Sequence, residues 1–257
     1  MSCENDLPEF ARIRLFVDHG LSEGTRITLS KDHAHYLHHV MRRKVGNSVR
    51  LFNGKDGEWS AQIANVGRTV ELEVGARLRS QTGTSNVALA FAPIKKSPME
   101  FLVEKATELG VALLQPVITE RTQVSRVNLE RLRAQAIEAA EQSWRLSVPT
   151  VAEPMMLDAF FASWAAKPLL FCDERGATAE HASTLETLQT ARDKSAPWAI
   201  LIGPEGGFSP AEQERLDALP NALAVSLGPR VVRAETAAVM ALTLWQAVLG
   251  DLNQGAA

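Results

Sequence analysis

Residues 196–213 read APWAILIGPEGGFSPAEQ, and the fold is best worked out from this stretch. Its first seven residues form an apolar run with the length of a buried strand. Gly203–Gly207 then allows a tight turn and a close approach of a ligand to the main chain. Ser209, followed by Pro210 and three residues later by Glu212, is the signature of a capped helix start. The stretch therefore predicts a strand, a glycine turn and a helix.

The same pattern returns a few residues later. Leu223–Leu227 is strand-like, and Gly228-Pro229 turns the chain into Arg230–Thr236. An apolar helix is predicted over Ala237–Leu249 and ends at Gly250. Two strand ends with glycine turns predict a crevice at the carboxyl edge of a parallel sheet, where open α/β sheets bind ligands. The alternative is that the glycines only turn the chain. The spacing fits neither a P-loop nor a dinucleotide fingerprint.

Length and composition are those of a globular protein with one large or two ordinary domains. The chain has 257 residues, of which 46% are hydrophobic and 22% charged. No apolar run reaches membrane-spanning length. Two cysteines, Cys3 and Cys172, make no disulfide framework, so a cytoplasmic location is predicted. The net charge is −3, but residues 1–86 carry 12 Lys and Arg against 10 Asp and Glu. That section is the better candidate for a nucleic-acid surface.

The first 80 residues read as short strands. Phe10–Val17 alternates, with Ile13 on the apolar face and Arg14 on the polar one. Val49–Phe52 and Glu58–Ile63 flank a glycine-containing turn and predict a hairpin. Several short strands at this spacing suggest a small β-barrel.

A short helix is predicted from Ser30 to about Met41. It carries His33, His35, His38 and His39. His35 and His39 are one turn apart, which suits a metal, but no third ligand follows at a suitable spacing, so we favour a polar helix face. Three basic residues come next, and they form either a solvated face or contacts to RNA phosphates: Arg42, Arg43 and Lys44.

Strands and helices alternate after a polar linker at residues 80–86. A strand at Val87–Ala92 is followed by a basic loop at 93–98 and then by helix, strand and a long helix to Arg145. Leu169–Cys172 is a further strand, whereas residues 178–195 are weakly patterned and are predicted to be peripheral. This alternation predicts an α/β domain with a mostly parallel sheet.

The paired motifs, Leu201–Gly207 and Leu227–Ala237, resemble those of the knotted SPOUT methyltransferases. Within that superfamily the chain resembles the small-subunit (16S) ribosomal RNA uridine-N3 methyltransferase family. The likeness extends to His39–Arg42, to Leu51–Gly54 and to Glu120-Arg121, so it covers nearly the whole chain. It implies a PUA-like RNA-binding β-barrel over 1–83 and a SPOUT domain with a trefoil-knotted, mostly parallel sheet over 84–257.

The resemblance also implies the ligands. The cofactor would be S-adenosyl-L-methionine, and the partners would be ribosomal RNA within the small subunit and a second copy of the chain in a homodimer, with no metal and no membrane. The implied cofactor-binding residues are Phe171, Leu201, Ile202, Gly203, Pro204, Glu205, Gly206, Gly207, Ser226, Leu227, Gly228, Arg230, Val231, Val232, Thr236 and Ala237. The implied RNA-binding residues are Arg42, Arg43, Lys44, Lys95, Lys96 and Arg145.

Two residues are candidates for the chemistry. Arg233 would stabilise negative charge on the uracil oxygens. Glu235 would accept the N3 proton or, alternatively, pair with Arg233 or Arg230. The polar end of the long helix, residues 141–145, is either an exposed helix end or lies near the active site or the RNA.

Methylation of a uridine N3 is thus the predicted activity, and three alternatives stay open. The chain could be a SPOUT enzyme acting on transfer RNA or another ribosomal site, or a noncatalytic RNA-binding or assembly module. A nicotinamide-dependent oxidoreductase is the third. The intact glycine and arginine motifs argue against the noncatalytic module.

Overall fold

The computed structural model describes residues 13–83, 85–124, 126–173, 183–190 and 196–253. These residues divide into two compact units. The first unit contains the described residues up to Gly83 together with Ala140–Val148, and the second contains the rest. The domain division predicted from the sequence left Ala140–Val148 in the second domain, whereas the structure groups this segment with the first.

The first unit is built on a five-stranded sheet with the order β1-β3-β4-β5-β2. Strands β1 and β3 are parallel and the other neighbours are antiparallel. Leu51, Ile63 and Leu72 are among the alternate residues that form its core. The hairpin predicted over 49–63 is confirmed as β3 and β4. The strands are β1 (Arg14–Phe16), β2 (Arg26–Thr28), β3 (Ser48–Phe52), β4 (Glu58–Val66) and β5 (Val70–Arg79).

The predicted short helix consists of two different turns. The α-helix α1 (Lys31–His35) begins at Ser30, whose side chain accepts a hydrogen bond from the His33 N–H at 3.2 Å. A π-helix over Tyr36–Val40 follows it directly. Arg42 then takes a left-handed conformation with φ of 51°. A π-helix was not predicted, because its residues keep helical spacing in the sequence.

A buried arginine explains why Ala140–Val148 belongs to the first unit. Arg14 Nε donates to Glu58 Oε1 at 2.6 Å, and Arg50 donates to the other oxygen of Glu58 at 3.0 Å. The two terminal nitrogens of Arg14 donate to three main-chain oxygens of the segment, at 2.6–2.9 Å. Alternation predicted Arg14 on a polar face of its strand; that face is covered by the segment instead. Burial lowers the pKa of Arg14, and Glu58 opposes that change.

The second unit is an α/β unit with a parallel seven-stranded sheet, which confirms the prediction. Its order is β12-β10-β11-β6-β7-β8. The seventh strand, β9, also pairs with β7, at residues farther along β7 than those that pair with β8. Its elements are β6 (Val87–Phe91), α2 (Lys96–Glu108), β7 (Leu113–Ile118), α3 (Leu129–Gln142), β8 (Thr150–Val151), β9 (Met155–Met156), α4 (Leu157–Trp164), β10 (Leu169–Cys172), α5 (Thr184–Thr190), β11 (Trp198–Ile202), α6 (Pro210–Ala218), β12 (Ala222–Val225) and α7 (Ala234–Val248), with a 3-10 turn at Asp251–Asn253.

The central strands β6 and β11 are apolar along their whole length, as expected when both faces of a sheet are covered. All five residues of β11 are buried, and α7 packs on β11, α2 and α5. Because β10 lies between β11 and β12, the chain leaving β11 passes β10 before it re-enters the sheet. The trefoil knot implied by the resemblance stays a prediction. None of the helices in the described ranges combines the length and apolar character needed to cross a bilayer.

The predicted starts of two helices and the predicted placement of one segment were wrong. The helix α2 begins at Lys96 and not after Pro98, because proline is tolerated in a first helical turn; Lys95 is its N-cap. The helix α7 begins at Ala234, so its first turn includes residues predicted to lie in the preceding loop. Part of 178–195 is not peripheral: α5 packs against α7, and its Leu188 is fully buried. Residues 174–182 and 191–195 lie outside the described residues.

We expect Glu58→Gln to destabilise the first unit by about 3–5 kcal/mol, because it leaves two buried guanidinium groups without their counter-charge. The matched control is Glu73→Gln. Glu73 pairs with Arg26 at 3.5 Å, with both side chains more than half exposed, so no measurable loss is expected. Urea unfolding followed by circular dichroism compares the two variants, and equal losses would contradict the role given to Glu58.

Candidate ligand-binding cleft

A cleft of about 590 Å³ opens at the carboxyl ends of β10, β11 and β12. Its volume lies in the range of sites that bind small molecules. The crevice predicted from the two glycine turns is therefore present. The cleft is lined by Arg121, Cys172, Asp173, Ile202, Gly203, Pro204, Glu205, Gly207, Phe208, Pro210, Gln213, Leu227, Gly228, Arg230, Val231, Val232, Arg233, Ala234 and Ala237.

The first wall of the cleft is the turn after β11. Gly207 has φ of 65°, and its N–H donates to the Pro204 carbonyl at 2.9 Å, a conformation that favours glycine. A Cβ on Gly203 would lie 3.1 Å from the Phe208 ring, so the absence of a side chain lets that ring pack against the main chain. The capping box is confirmed: Ser209 Oγ accepts from the Glu212 N–H, and Glu212 accepts from the Ser209 N–H.

Glu212 also connects two loops that are distant in sequence. Its side chain is buried, with 1% exposure. One oxygen accepts from the Ser209 N–H at 2.9 Å, and the other accepts from the Glu120 N–H at 2.8 Å in the loop after β7. Arg121, the next residue of that loop, donates to the Gly206 carbonyl at 2.7 Å. The carboxylate thus holds the loop that carries Arg121 against the turn that lines the cleft.

The second wall is the segment between β12 and α7. Gly228 has φ of 101°, where a Cβ would meet nothing within 4 Å, so glycine is needed for its backbone conformation and not for space. Ser226 supports this turn from behind: its Oγ accepts from the Gly228 N–H, and its carbonyl accepts from Thr184 on α5. Arg233 is the N-cap of α7, so the positive end of that helix faces the cleft.

Most of the predicted cofactor-binding residues line the cleft, and five do not. Phe171 and Leu201 are buried in the core of the sheet and present no side chain to the cleft. Gly206 is turned toward Arg121, Ser226 lies behind its turn, and Thr236 lies on the exposed side of α7. The assignment of the lining residues to a cofactor stays a prediction. Those that line the cleft are Ile202, Gly203, Pro204, Glu205, Gly207, Leu227, Gly228, Arg230, Val231, Val232 and Ala237.

The two candidates for the chemistry have different surroundings. Arg233 is exposed and lines the cleft. Glu235 lies in the first turn of α7, half-buried, and does not line it. Within the described ranges Glu235 makes no ion pair with Arg230 or Arg233, so the pairing alternative is not observed. A role for Glu235 as a base stays a prediction.

Sequence reasoning missed several residues of the cleft. Cys172 and Asp173 come from the end of β10, which the sheet order inserts between the two predicted strands. Arg121 comes from the loop after β7, farther along the sheet. In the sequence, Glu120-Arg121 is marked only by the resemblance to the methyltransferase family. The signal that could have found these residues is that every parallel strand ends at the same edge of the sheet.

The predicted RNA-binding residues are divided between the two units. Arg42, Arg43 and Lys44 follow the π-helix of the first unit, where Arg42 and Lys44 are exposed. Arg145 lies in Ala140–Val148 and donates to Ser147 Oγ at 3.2 Å. The neighbouring Glu141 accepts from the Phe16 N–H at 2.8 Å, so this end of α3 is part of the packing within the first unit and is not a free helix end. Lys95 and Lys96 are exposed at the start of α2.

Residues 81–246 match the family model described as an RNA methyltransferase domain, and residues 29–74 match that of an RNA methyltransferase PUA domain. The chain is 35% identical over 231 residues to ribosomal RNA small subunit methyltransferase E of Rickettsia conorii, covering 89% of this chain and 93% of the relative. The chain belongs to the ribosomal RNA small subunit methyltransferase E family. The Synechocystis member of this family is 32% identical over 232 residues, which cover 87% of this chain and 73% of the relative.

Solved structures agree with this family. A methyltransferase of Legionella pneumophila in complex with S-adenosylmethionine has a TM-score of 0.81 at 32% identity, covering 91% of this chain and 97% of that one. Methyltransferase E of Neisseria gonorrhoeae, bound to S-adenosylmethionine, has a TM-score of 0.78 at 27% identity, covering 93% and 98%. The predicted family and the fold class, a PUA-like domain followed by a SPOUT-type α/β domain, are confirmed.

We expect Cys172 to react slowly with alkylating reagents. Burial raises the pKa of its thiol to about 12, so its thiolate fraction at pH 8 is about 10³-fold lower than that of an ordinary thiol. Iodoacetamide labelling of a Cys3→Ser variant, which retains only Cys172, should be slow in buffer and fast in denaturant. Equal rates in the two solutions would contradict the raised pKa of this thiol, which lines the cleft and is partly exposed.

We expect Glu212→Gln to loosen the loop after β7 and the turn after β11 together. Glutamine retains one acceptor oxygen for two N–H groups, and the loss is about 2 kcal/mol for a hydrogen bond to a buried charge. Hydrogen exchange should accelerate in peptides covering 119–122 and 203–209. Glu214→Gln, on the exposed side of the same helix, should leave both peptides unchanged. Acceleration in only one of them would show that Glu212 does not join the two loops.

Proposed function

We propose that the protein transfers a methyl group from S-adenosyl-L-methionine to N3 of a uridine in small-subunit ribosomal RNA. The observation that carries the proposal is the convergence of Gly203–Gly207 and Leu227–Ala237 on one cleft. These are the segments whose sequence resembles the uridine-N3 methyltransferases. Two relatives with the same fold are bound to S-adenosylmethionine, and the named family acts on ribosomal RNA of the small subunit.

The residues of the cleft fit this cofactor. Glycine main chain and the apolar side chains of Ile202, Phe208 and Leu227 offer a surface for the adenine ring. The carboxylates of Asp173 and Glu205 suit the positive charges of the ammonium and sulfonium groups. When bound, the cofactor supplies an electrophilic methyl group on a good leaving group. The protein then has to orient the acceptor nitrogen in line with that methyl, at a near-attack distance of about 3–3.5 Å.

Methyl transfer to uridine N3 requires stabilisation of negative charge on the uracil ring. Uridine N3 carries a weakly acidic proton, and its removal leaves negative charge on the two uracil carbonyl oxygens. Arg233 and the N-terminus of α7 stand at the cleft and stabilise that charge in the proposed reaction. Glu235, on the first turn of the same helix but outside the cleft lining, is the proposed proton acceptor, and this role requires that the bound substrate reaches its carboxylate.

In this proposal the two units have different functions. The unit that contains the PUA match, residues 29–74, binds RNA, and the domain over 84–257 catalyses methyl transfer. The protein acts as a cytoplasmic homodimer on the small ribosomal subunit. An exposed apolar side chain at the cleft, Val231 with 77% exposure, supports a further partner at this edge, either RNA or a second copy of the chain.

The deciding experiment uses radiolabelled S-adenosylmethionine, purified protein and small ribosomal subunits that lack the modification. After incubation, the RNA is digested and its nucleosides are separated. Label in 3-methyluridine is expected. Label in another nucleoside, or label only when transfer RNA replaces the subunits, would transfer the proposal to another SPOUT activity. Cofactor binding without any label would favour the noncatalytic module.

We expect Arg233→Ala to lower kcat by about 10²-fold with little change in the Kd of the cofactor, because its charge acts on the transition state. The matched variant is Arg230→Ala, the same residue type in the same wall, which should raise the Kd more than it lowers kcat. A larger effect of Arg233→Ala on Kd and of Arg230→Ala on kcat would exchange their roles.

Glu235→Gln should lower kcat by about 10²-fold or more if Glu235 is the base. Normal turnover in a folded variant would exclude that role.

A further inference from the structure

The end of α1 and the π-helix that follows it carry a group of exposed rings that the proposed chemistry does not use. His35, His38 and His39 are exposed, and we refer to these three residues as the imidazole patch. The ring centroids of His35 and His39 are 4.9 Å apart, and those of His38 and His39 are 4.7 Å apart. Three rings in contact therefore face solvent on a single turn.

The unusual backbone accounts for the contact between His38 and His39, whereas His35 and His39 are four residues apart and would be neighbours on a regular helix as well. On a regular α-helix, neighbouring residues such as His38 and His39 do not face each other. The wider turn of Tyr36–Val40 brings their rings together, and π-turns occur frequently at functional sites. The chain leaves this turn through Arg42 in a left-handed conformation, which costs free energy for a residue other than glycine. Leu37, which is fully buried, anchors the turn to the core.

The surroundings of the patch combine apolar surface with positive charge. Tyr36 is 36% exposed and Val40 is 58% exposed. Between residues 31 and 45 there are four basic residues and one acidic residue, although the whole chain has a net charge of −3. Arg42 and Lys44 are exposed. Exposed rings beside cations are typical of surfaces that bind unpaired nucleotides, because the bases stack on the rings and the phosphates pair with the cations.

His33 does not belong to the patch. It is half-buried, and its Nε2 lies 3.7 Å from Glu141 Oε1, on the segment that Arg14 holds. Burial lowers the pKa of His33, although the nearby Asp32 opposes this change. The fourth histidine of this helix is therefore part of the internal packing of the first unit.

We propose that the imidazole patch stacks on unpaired bases of the RNA substrate, while Arg42 and Lys44 neutralise the neighbouring phosphates. The ligand is single-stranded RNA, since an A-form duplex does not offer the faces of its bases for stacking. This inference rests on the proposed function, because it assumes that the substrate is RNA. It adds the type of RNA structure that the first unit recognises.

The test measures binding of the full-length protein to two fluorescently labelled RNAs of equal length, an unstructured oligonucleotide and a fully paired hairpin. The double variant His35→Ala/His39→Ala should bind the unstructured RNA about 10-fold more weakly or worse, because base–ring stacking is lost. The hairpin affinity should be unchanged. The double variant His35→Phe/His39→Phe should restore binding to the unstructured RNA. His19→Ala, an exposed histidine outside the helix, is the matched control and should behave like the wild type.

Salt dependence distinguishes stacking from charge. Lys44→Ala should flatten the plot of log affinity against log salt by about 0.7 for the phosphate contact that it loses. The alanine double variant should lower affinity at every salt concentration and leave the slope unchanged. A flatter slope in that variant, or failure of the phenylalanine variant to restore binding, would show that the histidines act as polar or charged groups and would overturn stacking. Wild-type affinity of the alanine variant would overturn it too.

The methylation assay separates this inference from the proposed function. If the wild-type protein transfers no methyl group to RNA, the proposed function fails, and the binding series still decides whether the patch stacks on bases. If the wild type is active and the alanine variant binds unstructured RNA normally, only the inference fails. Circular dichroism confirms that the variants are folded, as expected for exposed side chains.

Discussion

The geometry of the cleft depends on one buried carboxylate. Glu212 accepts two main-chain hydrogen bonds, one from Ser209, the N-cap of its own helix, and one from Glu120, which lies 92 positions before Glu212 in the chain. A buried anion is tolerable only when its acceptors are filled, so the two donors must stay where they are. Neither loop has a regular ladder of its own at that point. The position of Arg121 relative to Gly203–Gly207 therefore follows from a charge that never touches the ligand space.

The all-parallel sheet supplies the second constraint. Its strands end at one edge, so any loop that follows a strand contributes to the same rim, whatever its distance in sequence. Inserting β10 between β11 and β12 brings Cys172 and Asp173 between the two glycine turns. It also explains why α5 is not peripheral, since Thr184 holds the carbonyl of Ser226 behind the second turn. The cleft is thus a product of strand order as much as of the glycine motifs.

The features that the sequence predicts well are local ones. The capping box at Ser209 and the glycine turns depend on residues a few positions apart, so their patterns survive in the sequence. Arg121 was not predicted as a site residue because its place depends on strand order, which has no short-range signal. Arg14 was assigned to a polar face because alternation reports which side of a strand a residue lies on. Whether another segment covers that side depends on contacts more than a hundred residues away.

The charged side chains that stabilise the fold differ from the charged side chains that line the cleft. Arg14 and Glu212 are buried, and each is satisfied by defined partners. Arg230 and Arg233 line the cleft, and neither side chain has a hydrogen bond or an ion pair within the described part of the chain. Exposed guanidinium groups without partners contribute little to folding. In the proposed methyl transfer, negative charge grows on the uracil oxygens as the N3 proton leaves. Cations already positioned there gain most at that moment, which favours the transition state over bound substrate.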